Sequence, residues 1–389
     1  MEIERYLSLD NLNTSCFLFG CRQVGKTWLL KRTGGYDIYI DLLKKSELIR
    51  YTKNPELLYA EIEALNKRSP LIVIDEIQKA PGLLDEVHRL IESQWDPRFI
   101  LTGSSARKLK RSHANMLGGR AITLRLFPFS YYEVKDLFSL NDFLHFGGLP
   151  NIFLAQTAQT KKKLLESYIN TYLKEEIFDE ALIRNLPAFS KFLDIAGYEN
   201  GNVINYSNIA REVGVSLKVI REYFNILEDT LIGFYLLPYY GSHRKRIISH
   251  PKFYLNDTGL VFAIKRMLSI DFTEGTQLYG NAFEHFIILE VMKYISYLGE
   301  EINTWFFRTS DGAEVDLILE KHGSIIPVEI KSSQEPHGIA GLKSFLKDHA
   351  VLNAYCVCNT PRPYKINNIL FIPWQDFIER LYTRSLFSN

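Results

Sequence analysis

Gly20-Cys21-Arg22-Gln23-Val24-Gly25-Lys26-Thr27 is preceded by the apolar run Cys16-Phe17-Leu18-Phe19 and followed by Trp28-Leu29-Leu30, the start of a helical pattern. A strand entering a glycine-spaced loop that opens a helix makes a phosphate cradle. The glycines let backbone N–H groups turn inward, and the helix N-terminus adds unpaired donors and a favourable dipole. Outward from this loop, short apolar runs recur at Tyr36 to Asp41, Leu71 to Ile74 and Phe99 to Leu101, separated by helical stretches. Near-continuous apolar strands alternating with helices predict a parallel sheet covered on both faces, so the fold class is α/β.

The residue types in and around the loop assign roles. Gly20 and Gly25 shape the cradle, Lys26 is expected to reach the β and γ phosphates, and Thr27 to place its hydroxyl on a magnesium ion. The run Leu71 to Ile74 delivers Asp75, expected to hold the hydrated metal, and Glu76, expected to polarise an attacking water. ATP and Mg²⁺ are therefore the expected cofactors, and ATP hydrolysis the expected reaction. Phe99-Ile100-Leu101 leads into Thr102-Gly103-Ser104-Ser105. Thr102 or Ser104 can sense the γ phosphate or orient water there, and can equally be turn-capping hydroxyls. Arg120, in Gly118-Gly119-Arg120, is either an arginine that completes a neighbour's site or a plain surface cation.

At 389 residues the chain exceeds what one core usually serves, so two or three packed domains are expected, and the 46% hydrophobic fraction is consistent with that. Lys+Arg 46 against Asp+Glu 45 excludes a protein coated in basic surface for bulk nucleic-acid binding, while leaving room for a local basic patch. The four cysteines are too few and too scattered for a disulfide framework and are expected to be reduced thiols. The N-terminus carries Glu2, Glu4 and Arg5 in place of a basic-then-apolar leader, and Leu231 to Tyr240 falls well short of the ~20 residues that span a bilayer. A soluble, cytoplasmic protein with no membrane partner is expected.

From Tyr131 to about Tyr198 the pattern is mostly helical, interrupted at Gly147-Gly148-Leu149-Pro150, and predicts a helical lid. Ser207 to Val213, a break at Gly214-Val215-Ser216, and Leu217 to Glu228 read as a helix-turn-helix. Lys218 and Arg221 on its second helix, with Arg244-Lys245-Arg246 in a wing-like position, suit a DNA or RNA backbone. Glu212, Glu222, Glu228 and Asp229 dilute that charge, so docking of a protein partner competes with nucleic-acid contact. The expected boundaries are 1–135 for the nucleotide domain, 136–198 for the lid, 199–250 for a winged-helix-like module and 251–389 for a strand-rich C-terminal domain.

That last domain carries a second constellation. Ile302 to Arg308 and Glu314 to Leu319 flank the hairpin signal Asp311-Gly312, and Ile325 to Lys331 follows. Side chains alternate along strands, so Glu329 and Lys331 share a face, and Asp316 joins them if the strands are neighbours. Two carboxylates can hold a magnesium ion that activates water while a lysine offsets developing charge, and Glu284 from a preceding helix adds a further acid. Asp316, Glu329 and Glu284 are thus the candidate metal ligands and Lys331 the candidate catalytic lysine. The competing explanation is a set of solvated charges on a hairpin face. The arrangement resembles the D…E-x-K motif of restriction-endonuclease-like phosphodiesterases, which implies an α/β fold of that kind, with catalysis retained or lost.

A wider resemblance rests on G-C-R-Q-V-G-K-T (20–27), V-I-D-E-I-Q-K-A-P (73–81), L-T-G-S-S (101–105), L-F-P-F-S-Y-Y-E (126–133), G-G-L-P-N (147–151), P-K-F-Y-L-N-D-T-G-L (251–260) and G-N-A-F-E (280–284). Together these resemble prokaryotic AAA-family ATP-binding proteins with a C-terminal domain of uncharacterised function. The resemblance implies a P-loop AAA-type ATPase domain with Lys26, Thr27, Asp75 and Glu76 at its active positions. It also implies a homo-oligomer in which Arg120 acts between subunits. Three functions compete on this basis: an ATP-driven enzyme acting on nucleic acid, an ATP-dependent switch that docks a protein, and an ATPase with an inert nuclease-like scaffold.

Overall fold

The computed structural model describes residues 2–10, 12–104, 117–176, 185–239, 250–309, 312–351 and 353–387; Ser105, Arg244, Lys245, Arg246 and Asp311 lie outside them. The chain divides into two units, 1–133 with 226–232, and 134–225 with 233–389. The three segments expected after residue 135 lie, apart from residues 226–232, in the second unit.

Among the described residues of the first unit, β1 (Ser15–Phe19), β2 (Ile38–Asp41), β3 (Leu71–Asp75), β4 (Arg98–Gly103) and β5 (Ala121–Arg125) form a five-stranded sheet in the order β2-β3-β4-β1-β5. Every neighbouring pair is parallel. The central strands are buried because their apolar residues are covered from both sides. Helix Leu83–Ile91, for example, buries Leu83, Leu84, Val87 and Leu90, a helical stripe that joins the core of Ile72, Ile74 and Phe99. Each such leucine contributes about 1.5–3 kcal/mol relative to exposure. The sequence pattern did not announce β5. It is an edge strand whose residues are half-buried or exposed, so it lacks the continuous apolar run that marked the others.

In the second unit, helices Leu186–Tyr198 and Tyr206–Val213 and residues 217–225 of helix Leu217–Asp229 precede the antiparallel pair β6 (Gly233–Pro238) and β7 (Lys252–Leu255), and Val203 bridges to Lys252. Gly214 ends the second of these helices at φ 83, where a Cβ would meet nothing within 4 Å; backbone angle, not crowding, calls for glycine there. Helix Gln277–Leu298 leads into the antiparallel run β8 (Asn303–Arg308), β9 (Glu314–Lys321) and β10 (Ser324–Ile330). Helix Ala340–Asp348 then crosses over to β11 (Ala354–Cys358), parallel to β10, as a parallel connection requires. With β12 (Tyr364–Ile366) and β13 (Ile369–Pro373), the described residues form an eight-stranded sheet in the order β12-β13-β11-β10-β9-β8-β6-β7. The four cysteines are buried, and none of them forms a disulfide.

The strings around Gly147 and Asp257 interlock within this unit. Gly148 N–H donates to Asp257 Oδ2 at 2.7 Å, and Asp257 Oδ1 also caps helix Thr258–Ile264 by accepting from Leu260 N–H at 3.3 Å. Gly147 stands at φ 78, and a Cβ there would lie 1.9 Å from Asp257 Oδ1; one at Gly259 would lie 2.2 Å from the Phe146 carbonyl oxygen. Glycine at both positions is what allows the two segments to touch. No helix among the described residues is long and apolar enough to cross a membrane.

Candidate functional site

The phosphate loop connects β1 to helix Lys26–Thr33, whose N-cap is Gly25 at φ 95. A glycine cap has no side chain to occupy the first-turn N–H groups, so they face the loop as anion donors. Gly20 is fixed by crowding: a Cβ there would lie 2.5 Å from the Leu126 carbonyl oxygen. Lys26 is buried, and its ammonium donates to the Gly20 carbonyl at 2.6 Å and the Cys21 carbonyl at 3.4 Å. Burial lowers its pKa from the ordinary lysine value, and the Glu76 carboxylate offsets part of that.

Asp75 ends β3 with its carboxylate shared between three hydroxyls. Thr27 Oγ1 donates at 3.3 Å and Tyr39 OH at 2.8 Å to Oδ2, and the buried Thr102 hydroxyl donates to Oδ1. The same Thr102 oxygen accepts from Glu76 N–H at 3.1 Å. Glu76 itself sits at φ 61, ψ 46, a left-handed conformation unusual for a residue with a side chain, and the Thr102 bond helps to hold it. Its Oε2 accepts from Gln78 Nε2, which also donates to Ser104 Oγ at 3.2 Å. Thr102 thus touches the acidic pair directly, and Ser104 does so through Gln78. The sequence analysis singled out neither Gln78 nor Tyr39; the string Asp75-Glu76-Ile77-Gln78 carried the signal for the former.

Arg5, read in the sequence only as part of a charged N-terminus, reaches the loop as well. It donates to the Val24 carbonyl of the loop at 2.7 Å and to the Phe127 carbonyl at 2.6 Å, and pairs with Glu133 at 2.8 Å, with both side chains buried. A buried charge pair with its remaining donors satisfied fixes geometry, and here the fixed element is the phosphate loop. Arg120 lies elsewhere. The register sets Ser15 beside Ala121 and Phe19 beside Arg125, so Arg120 enters β5 at the end away from the loop, roughly 16 Å along the strand. It pairs with Glu92.

In the second unit, the register of β9 with β10 reaches Leu317 opposite Val328, and the next residues on the two strands are Asp316 and Glu329. Lys331 Nζ is 2.6 Å from Glu329 Oε1 and 3.6 Å from Asp316 Oδ2, while Asp316 Oδ2 accepts from Ile330 N–H at 2.7 Å. The structure therefore brings Asp316, Glu329 and Lys331 together. Burial first, then neighbouring carboxylates, hold Asp316 and Glu329 above the ordinary carboxylate range. Burial works to lower the Lys331 pKa, but the two carboxylates raise it above the usual lysine value. Glu329 Oε2 is buried with no hydrogen-bond partner.

Glu284 faces a neighbouring part of the same cluster: Tyr254 OH donates to it at 2.8 Å, and Lys252 Nζ stands 3.6 Å away. Among the described residues no three His, Cys, Asp or Glu side chains are grouped closely enough to hold a metal ion. Lys252 and Lys331 stand among these acids and pair with them. Of the basic residues expected to face nucleic acid, Lys218 and Arg221 are exposed, and Arg221 lies over the Tyr206 ring at 5.3 Å.

Three family models match successive stretches of the chain. Residues 13–135 match the family model described as an AAA domain. Residues 137–271 and 279–377 match two models each described as a domain of unknown function (DUF8612 and DUF4143). An uncharacterized protein of Mycobacterium tuberculosis is 27% identical over 338 residues, covering 85% of this chain and 73% of its own length. One of Methanocaldococcus jannaschii is 25% identical over 364 residues, covering 85% of this chain and 78% of its own. The crystal structure of protein VC1899 from Vibrio cholerae is 13% identical and covers 95% of this chain and 97% of its own, with a TM-score of 0.21. The AAA-domain match, falling on a parallel sheet whose loop carries Lys26 and Thr27, supports an AAA-family ATP-binding protein.

Proposed function

We propose that the chain is a magnesium-dependent ATPase whose second unit presents a winged-helix-like module and a restriction-endonuclease-like site to nucleic acid. The observation that carries the ATPase is the convergence of Thr27, Tyr39 and Thr102 on Asp75, with Glu76 pinned beside it. Magnesium-bound ATP, when present, supplies the phosphoryl group and the charge that Thr27 and Asp75 are arranged to hold. Lys26 leaves the loop carbonyls to neutralise phosphate oxygens, and Glu76 receives the proton of the attacking water. Phosphate release by the full chain tests this. Lys26→Ala should abolish binding and turnover, and Glu76→Gln should keep ATP binding while stopping turnover; turnover that survives both changes would overturn the assignment.

The winged-helix-like reading is supported by three helices followed by the β6–β7 pair, with Val203 bridging to the second strand. The nuclease-like reading is supported by the helix, three antiparallel strands, crossover helix and parallel strand that set Asp316, Glu329 and Lys331 side by side. Cleavage of single- and double-stranded DNA with ATP and Mg²⁺ or Mn²⁺, lost in Lys331→Ala, is the expected result. A second reading, a switch that docks a protein and keeps the site as scaffold, draws support from Lys252, which already pairs with Glu284 and Glu314. Persistent ATP turnover without cleavage would favour it. The position of Arg120, away from its own loop, supports a homo-oligomer in which it serves a neighbour.

A further inference from the structure

Along one flank of helix Ala340–Asp348 the C-terminal sheet is left uncovered. The helix buries Gly341, Leu342 and Phe345 and packs on β9 and β10, while all three residues of the outermost strand, β12, stay exposed. Side chains alternate along a strand, so Tyr364 and Ile366 share a face beside their partners on β13, Phe371 and Ile369. The Tyr364 ring stacks on Phe371 with centroids 4.7 Å apart, yet Tyr364 is 39% and Ile366 51% exposed. Between this face and the helix flank runs a groove of about 750 Å³, lined by Lys343, Leu346 and Lys347 on one side and Tyr364, Ile366 and Phe371 on the other. Among the described residues no Asp or Glu lines it, and the flanking acids Glu335 and Asp348 lie outside. Lys343 and Lys347, both exposed and four residues apart on one helix face, form no ion pair among the described residues.

We propose that this groove docks an amphipathic helix of a partner protein, one with an apolar stripe bordered by two carboxylates a turn apart. The stripe covers Tyr364, Ile366 and Leu346, and the carboxylates meet Lys343 and Lys347, which stand about 6 Å apart along their helix axis. A sheet face beside a packed helix has room for a second helix at the usual interaxial distance of about 8–10 Å. Strand addition is disfavoured: β12 is short, follows Pro361 and Pro363 and carries Lys365, features that blunt a sheet edge, so the occupant lies on the face. A second copy docked by two-fold symmetry would bring two sets of these lysines together, and like charges oppose that pairing. Nucleic acid suits the lysines but leaves the aliphatic surface of Leu346 and Ile366 unsatisfied, whereas an apolar helix stripe buries it. None of the lining residues belongs to the Asp316 cluster, so the inference holds under either reading of that site.

The test is selection of peptides from an unbiased display library on the immobilised full chain, followed by fluorescence anisotropy of the recovered peptides. These should carry the apolar stripe with acids four residues apart. Their affinity should fall at least about tenfold in the double variant Lys343→Glu, Lys347→Glu and in Ile366→Glu, and should weaken with added salt. Carbodiimide should join their carboxylates to Lys343 or Lys347 of the wild type, read by mass spectrometry. The three substituted positions are exposed, and a melting temperature equal to that of wild type certifies each variant. If Ile366→Glu does not fold, the lysine variant and the cross-link still decide. Recovery of no peptide, or of peptides that bind wild type and variants equally, overturns the inference. A dimer dispersed by Ile366→Glu in sedimentation would overturn it in favour of a second copy, and ultraviolet cross-linking of single-stranded DNA to Tyr364 in favour of nucleic acid.

Discussion

Replacing Thr102 with valine removes one hydroxyl and preserves the shape of a fully buried side chain. That hydroxyl donates to Asp75 Oδ1 and accepts from Glu76 N–H at 3.1 Å. Losing the acceptor leaves a partly buried N–H unsatisfied, about 1–3 kcal/mol, and losing the donor removes a charge-assisted bond worth about 1.5–3 kcal/mol. Partial relaxation leaves a net destabilisation of about 2–4 kcal/mol. The catalytic effect has a separate origin, because the N–H in question helps to hold Glu76 in its left-handed conformation. If a third to a half of the loss, about 0.7–2 kcal/mol, falls on the placement of Glu76, kcat for ATP hydrolysis should drop about 3- to 30-fold, with KM changing less. Thr102→Ser, which restores the hydroxyl, should recover most of the rate. The assay is steady-state phosphate release beside a thermal melt. A Thr102→Val protein that melts like wild type and turns over within about twofold of it would refute the reasoning.

Other expectations follow from the same geometry. Arg120→Ala should reduce turnover only where chains associate, so specific activity should rise with concentration in wild type and stay flat in the variant; equal concentration profiles would remove the intersubunit role. Gly147→Ala places a methyl group 1.9 Å from Asp257 Oδ1 at φ 78 and should cost more than about 3 kcal/mol, read as loss of folded protein or a large fall in melting temperature. His285 is buried and held neutral, its ring nitrogens facing the Leu255 carbonyl at 2.6 Å and the Asn200 amide at 3.4 Å, and burial pushes its pKa down to about 3. A depressed folded-state pKa gives stability that is present above the unfolded value near 6.5 and lost as pH falls toward the folded one, about 3 kcal/mol by pH 4. Burial pushes Asp257 up to about 6, which works in the opposite direction over part of that range, so the wild type should be compared with His285→Gln. The variant should lose less stability between pH 7 and pH 4 in urea titrations; parallel losses would show that the imidazole carries no such linkage.

The features legible in the sequence were those that short-range pattern encodes. The strand before Gly20 and the strand ending at Asp75 were readable because central parallel strands are apolar along their whole length, and the loop announced itself by glycine spacing. Asp316, Glu329 and Lys331 were readable because an acid interrupting an apolar strand needs a reason to be there. What went unseen depends on contacts remote in the chain. Arg5 reaches Val24, Phe127 and Glu133, a set that no local pattern links. Lys252 sits in a string that reads as an ordinary strand start, and only the fold reveals that its ammonium is buried among acids from a helix and another strand. Strand β11 was missed for a different reason: Ala354 to Cys358 is short, and its central position in the sheet appears only once β10 and β13 flank it.

Strand β6 pairs with β7 on one side and, through Leu237 and Pro238, with Trp305 and Phe306 of β8 on the other. A strand that serves two ladders works as a seam, and a seam can be opened and closed again. Split between residues 250 and 251, the chain would leave β6 on one fragment and both of its partners on the other, each fragment with unpaired edges that fit the other's. Co-expressed fragments 1–250 and 251–389 should therefore reassemble without a covalent join, which makes this strand a natural place for a split-protein reporter and a poor place to cut out a domain for study alone.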